Sequence, residues 1–306
     1  MSTVLQKSLA AQFVDRMLSA PMVCAFLAPA SVTLADLFAK DPVKLGKWTA
    51  RQGMYMGIGA ALGPFLGAKL GTRKSFLASA LMFAATAAYV NTKQAETLAP
   101  ENRKELRLDT VSPWAFLKLF KCRTLGWLAT ATALQSFGDG FNLNDINNIF
   151  LINTLKYGPR ELGSFAVAGG VCGIAGGKVT MLILDFLQKT KLSALKVSTL
   201  ISNTFWSLAM LTLGSARHTP QAFLALFLTT FGTMRNNSIS TYMQTYSESA
   251  GLGRAEVVVA TANLLAYVKV LAPLLYSNLF NWATTGGRSI PGLPYYVIAL
   301  MTALAQ

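Results

Sequence analysis

The sequence predicts an all-α fold, a polytopic bundle of membrane-spanning helices, and two observations carry that prediction. Of 306 residues, 53% are hydrophobic and only 13% are charged, against about 25% charged in soluble domains. Apolar runs of about 20 residues, each long enough to cross the hydrocarbon core of a bilayer, recur along the whole chain. Backbone groups in lipid must be satisfied within the segment, so each run is expected to be helical.

Nine spans are predicted, at 17–38, 53–71, 75–92, 124–152, 162–187, 194–214, 220–246, 256–283 and 291–306. The first follows Arg16 and ends in Ala35-Asp36, before a basic loop. The second carries Gly59, Gly63, Pro64 and Gly67; only Gly71-Thr72-Arg73-Lys74 separates it from the third. The polar stretch 93–123 then divides the chain into a partial N-terminal bundle, 1–92, and a C-terminal bundle, 124–306. It is read as the linker between them.

The fourth span is long and unusually polar. Asp139, Asn142, Asp145 and Asn148 follow at intervals of three, which gives a slowly winding polar stripe on a helix. Such a stripe is costly against lipid. Either it lines a cavity or packs on another helix, or the stretch from Gly140 leaves the membrane as a solvated helix end. The fifth and sixth spans are conventional. The break Ala216 to Pro220, which holds the lone histidine His218, ends the sixth. Arg235, beside Asn236 and Asn237, lies within the seventh span and Lys269 within the eighth. An intramembrane charge is either functional or paired, and the possible partners are Asp139, Asp145 and Glu248. The ninth span is short.

Formal charge is +14. The basic residues cluster between spans, which reads as a topology signal rather than a nucleic-acid site. With 93–123 on the cytoplasmic side, fifteen basic residues fall on that side and seven on the other. Cys24, Cys122 and Cys172 are isolated, so neither a disulfide framework nor a metal cluster is expected. There is no P-loop and no Ser-His-Asp or Cys-His arrangement, so an enzyme is not expected, nor any cofactor. No cleavable signal peptide is evident at the N-terminus. A faint repeat places Leu45-Gly46-Lys47 ahead of Gly63-Pro64, and Leu252-Gly253-Arg254 ahead of Ala272-Pro273, at offsets of 207 and 209 residues. Transporters built from two related halves have such symmetry.

The stretch Gly59-Ala60-Ala61-Leu62-Gly63-Pro64-Phe65-Leu66-Gly67-Ala68 resembles the G-x-x-x-G-P-x-x-G-G motif on the fifth helix of the major facilitator superfamily, in its drug:proton antiporters of the tetracycline-efflux type. Small residues at this spacing admit a close helix approach, and Pro64 removes a backbone hydrogen bond. An ordinary small-residue packing face gives the same pattern. Arg16 resembles the arginine that opens the family's fourth-helix motif, with Ser19 and Ala20 in the Gln and Gly positions. The resemblance implies a coupling role for Arg16; an arginine snorkelling to the interface is the alternative. It further implies that the nine spans match helices four to twelve, with helices one to three absent. The second copy of the family's loop motif would then fall at Asp185 to Lys191, which keeps an acid followed by bases but lacks the Gly and Arg pattern.

The function so implied is a secondary transporter moving a small molecule by rocking two bundles around a cavity, with proton coupling. Its partners would be the lipid bilayer and an unidentified small-molecule substrate. The alternative is a transporter-derived, non-transporting structural or accessory subunit of a larger membrane complex.

Overall fold

A computed structural model describes residues 30–38, 41–93, 112–189, 193–233, 235–247, 250–285 and 289–306. Among the described residues there is no strand, and the all-helical expectation holds. After helical residues 30–37, the elements are α1 (Pro42–Lys93), a 3-10 helix (Pro113–Lys121), α2 (Arg123–Phe137), α3 (Gly140–Leu155), α4 (Pro159–Gln188), α5 (Ala194–Gly214), α6 (Thr219–Gly232), α7 (Arg235–Tyr246), α8 (Arg254–Thr284) and α9 (Leu293–Leu304).

These do not reproduce nine uniform spans. The predicted spans 53–71 and 75–92 both lie in α1, whose backbone leaves helical geometry at Gly71 (φ 71°, ψ 163°). That conformation is essentially confined to glycine. The polar span 124–152 is two helices, α2 and α3, interrupted at Gly138-Asp139. The span 220–246 is likewise interrupted, between Gly232 and Arg235. Among the described residues, three helical segments are long and apolar enough to cross a membrane unaided: Arg73–Lys93, Pro159–Gln188 and Arg254–Thr284. Prolines stand in the first turns of α4, α6 and α9, where the missing N–H costs no hydrogen bond.

Packing is closest where glycines meet. The N-terminal part of α1 lies along α4. A Cβ added at Gly57 would come within 2.8 Å of the Ile174 nitrogen, and one at Gly170 would collide with the Ala61 backbone. A Cβ at Gly177 would strike Met54. The seam is therefore Met54, Gly57 and Ala61 against Gly170, Ile174 and Gly177. The larger apolar core gathers Phe150, Met210, Tyr276, Tyr295 and Ile298 from α3, α5, α8 and α9. A second cluster joins Leu119 of the 3-10 helix to Leu125, Met243, Val257 and Leu264.

Two charge pairs mark one end of the molecule. Lys47 at the start of α1 pairs with Asp185 at the end of α4. Lys118 of the 3-10 helix pairs with Glu256 at the start of α8, 2.7 Å away. The residues of 112–123 are thus docked on the C-terminal helices, with Asn263 donating to the Ser112 carbonyl at 3.1 Å. Beyond Gly71, α1 carries an apolar surface: Phe76, Leu77, Leu81, Met82, Phe83 and Tyr89 are all exposed. Contiguous exposed apolar area of this extent belongs against lipid or another protein.

Candidate functional site

The two helix interruptions meet. α2 ends at Phe137, and Gly138 folds back so that its N–H donates to the Gln135 and Ser136 carbonyls. Asp139 is extended (φ −69°, ψ 142°) and starts α3. Its carbonyl accepts from the Asn142 and Leu143 nitrogens, at 2.9 and 3.0 Å. Across the gap, Asn142 Nδ2 donates to the Ser136 carbonyl at 2.7 Å, beside the Asp139 N–H that donates to the same oxygen at 3.0 Å.

Arg235 opens α7 and reaches this junction. Its Nη2 donates to the Gly138 carbonyl at 3.0 Å and to Asp139 Oδ1 at 2.8 Å. A cation at the carbonyl end of a helix is favoured by the aligned peptide dipoles. The Tyr276 hydroxyl of α8 donates to the neighbouring Phe137 carbonyl. The guanidinium lies over the indole of Trp206 in α5, 3.5 Å from the ring centroid, a contact that strengthens as water is excluded. The pair is asymmetric: the Arg235 side chain is 4% exposed and that of Asp139 is 26% exposed. Arg235 Nη1 and Trp206 Nε1 are buried without a hydrogen-bond partner among the described residues.

Steric constraint reinforces the charges. A Cβ on Gly138 would meet Ile298 Cγ2 at 2.8 Å and Trp206 Nε1 at 3.0 Å. A Cβ on Gly232, at the other interruption, would meet Trp206 Cε3 at 2.8 Å. The indole is therefore wedged between two backbones that carry no side chain. A further buried link, Gln135 Nε2 to Asn203 Oδ1 at 2.8 Å, ties α2 to α5 just beyond.

Of the residues singled out from sequence, the structure brings Asp139, Asn142 and Arg235 together. Between the readings left open for Arg235, it is paired, with Asp139. Asp145 lies in α3, one turn beyond Asn142. Lys269 is exposed on α8, and Arg16 lies outside the described residues. Gly59 and Gly63 are exposed, with nothing within 4 Å of an added Cβ among the described residues, and Gly67 has only Ser75 Oγ at 4.0 Å. Among the described residues, the close approach on α1 is made by Gly57 and Ala61. Pro64 stays within α1, whose non-helical residue is Gly71. Sequence reading missed Gly138, Trp206, Gly232 and Tyr276. Gly138-Asp139-Gly140 is itself a chain-breaking signal inside an apolar run. Trp206 and Tyr276 offered no pattern distinct from their apolar neighbours.

The model of the family described as Major Facilitator Superfamily matches residues 2–273. No curated protein matches the chain. Among solved structures, the human organic anion transporter MFSD10 (TETRAN) superposes with a TM-score of 0.78 at 17% sequence identity, covering 99% of this chain and 72% of that one.

Proposed function

This chain belongs to the major facilitator superfamily, as an integral, multi-pass membrane transporter, and from that premise we propose that it moves a small organic anion with proton coupling at the Asp139–Arg235 junction. The observation that carries the reading is the asymmetry of the pair: a buried guanidinium reached past a carboxylate that is about a quarter exposed. A proton delivered to an Asp139 oxygen neutralises the carboxylate and leaves Arg235 without its anionic partner. A substrate carboxylate can then take that place, accepting from the guanidinium as Asp139 did. Return of the proton to water restores the internal pair and ejects the substrate. Two breaks in facing helices give the backbone freedom to follow the exchange. The similarity in fold to an organic anion transporter, MFSD10, supports testing organic anions first.

The resemblance to drug:proton antiporters supports the coupling ion, and the two-bundle division at 93–123 supports a rocking motion. Purified protein in proteoliposomes tests the reading with a panel of radiolabelled organic anions. Accumulation driven by an imposed pH gradient is expected in the native protein. Asp139→Asn, which keeps an oxygen for Arg235 but cannot titrate, should lose at least about tenfold of the gradient-driven accumulation while retaining the fold. Undiminished accumulation in that variant would remove Asp139 from the mechanism.

A second reading, the non-transporting subunit of a larger membrane complex, draws on the apolar segment Arg73–Lys93, which the described residues leave uncovered. Co-purification with partner proteins at fixed stoichiometry, together with absence of flux, would favour it.

A further inference from the structure

At the end of the molecule marked by the Lys47–Asp185 pair, a cavity of about 380 Å³ is lined by Asp41, Lys44, Lys47, Trp48, Arg51 and Gln188. Three of these six residues are cations, and they recur along one side of α1 at intervals of three and four, one helical face. The aromatic wall is preformed: Phe38 and Trp48 stack with centroids 5.7 Å apart and planes within 12°. Lys44 sits 5.2 Å from the Phe38 ring centroid and Arg51 sits 4.5 Å from that of Trp48. The rings hold both cations near the cavity while leaving N–H groups to donate. Asp41 is engaged locally, accepting from the Lys44 backbone nitrogen at 2.9 Å. Lys47 faces two ways, toward the cavity and toward Asp185 and Gln188 of α4, with Gln188 Oε1 at 3.2 Å.

We propose that this cavity binds the phosphorylated headgroup of an anionic membrane lipid, with Lys44, Lys47 and Arg51 on the phosphates and the Trp48 ring holding Arg51 in place. The volume lies within the range of small-ligand sites and exceeds what a bare phosphate fills, which favours a headgroup carrying a ring. Clustered bases at the membrane end of a helix are the general signature of such recognition. The inference does not rest on transport or on the Asp139–Arg235 junction. It has a structural consequence: headgroup and Asp185 compete for Lys47, so occupancy loosens the α1–α4 contact at this end. The Lys47–Asp185 pair is exposed, 27% and 54% for the two side chains, and exposed pairs are readily exchanged.

The test is lipid retention by the purified full chain, read by native mass spectrometry after incubation with phosphatidylinositol 4-phosphate, phosphatidylcholine or inorganic phosphate. The native protein should retain the phosphoinositide over phosphatidylcholine by about tenfold or more. Lys44→Gln/Arg51→Gln should abolish that preference, and Lys121→Gln/Arg123→Gln, which removes two charges near the same end but outside the cavity, should keep it. Asp185→Asn should strengthen retention by removing the competitor for Lys47. Equal loss in both double variants, or no preference in the native protein, overturns the site. Unchanged retention in Asp185→Asn overturns the competition. Displacement of the lipid by inorganic phosphate at comparable concentration would overturn the lipid as the source and assign the cations to a soluble anion. Thermal unfolding of each variant without lipid separates loss of binding from loss of fold.

Discussion

At the scale of single residues, the junction is a set of mutually fitted parts, and the order of their sensitivities follows from exposure. Asp139→Leu strands a guanidinium whose side chain is 4% exposed, and breaking a buried pair this way costs about 3–5 kcal/mol. Arg235→Met leaves a carboxylate that water still reaches, so it should cost less. The double variant should recover much of the loss, because an apolar replacement of both partners removes the stranded charge. A double-mutant cycle by thermal unfolding in detergent checks all three. Gly138→Ala should cost about 1–3 kcal/mol through overpacking against Trp206 and Ile298, also read as a lowered unfolding midpoint. Asp139 and Arg235 were legible in the sequence because intramembrane charge is conspicuous. Their pairing with each other was not, because two residues 96 apart are brought together by tertiary packing that no local pattern encodes. Trp206 was invisible for a related reason: its importance lies in what is missing around it, the side chains at 138 and 232.

At the scale of elements, the glycine seam between α1 and α4 sets the expectation. Gly170→Leu should lower stability by about 1–3 kcal/mol or more, since the side chain would enter the Ala61 backbone. Gly63→Leu should leave the unfolding midpoint unchanged, because an added Cβ there meets open space among the described residues. Comparable losses in the two variants would place Gly63 in the packed seam after all. The motif G-x-x-x-G was easy to find in sequence; which face of the helix meets a neighbour depends on rotation about the helix axis. The contact uses Gly57 and Ala61, a different set of positions on the same helix. Helix existence was likewise legible from apolar run length. The interruption at Gly138-Asp139 in the run 124–152 was not, since hydropathy averaged over some twenty residues smooths a two-residue break.

At the scale of the whole molecule, helix direction fixes sidedness. Lys47, Asp185, Lys118 and Glu256 share one end, while the α3–α4 turn, where Lys156 takes a left-handed conformation (φ 58°), lies at the other. Cysteines placed at Lys44 and Lys121 should be labelled from the cytoplasmic face, and one at Lys156 from the opposite face. Labelling of positions 121 and 156 from a common face would overturn the arrangement. The chain is also built in time. Asp139 leaves the ribosome 96 residues before Arg235, a lag of about 5–20 s at ordinary elongation rates. During that interval the segment carrying Asp139 enters the bilayer without its counter-charge, at a cost of about 2.5–3.5 kcal/mol for a carboxylate at mid-membrane. The α2–α3 segment is then expected to settle fully only once α7 has been made, so chains stopped before Arg235 should leave it more accessible to aqueous labels than the full chain does.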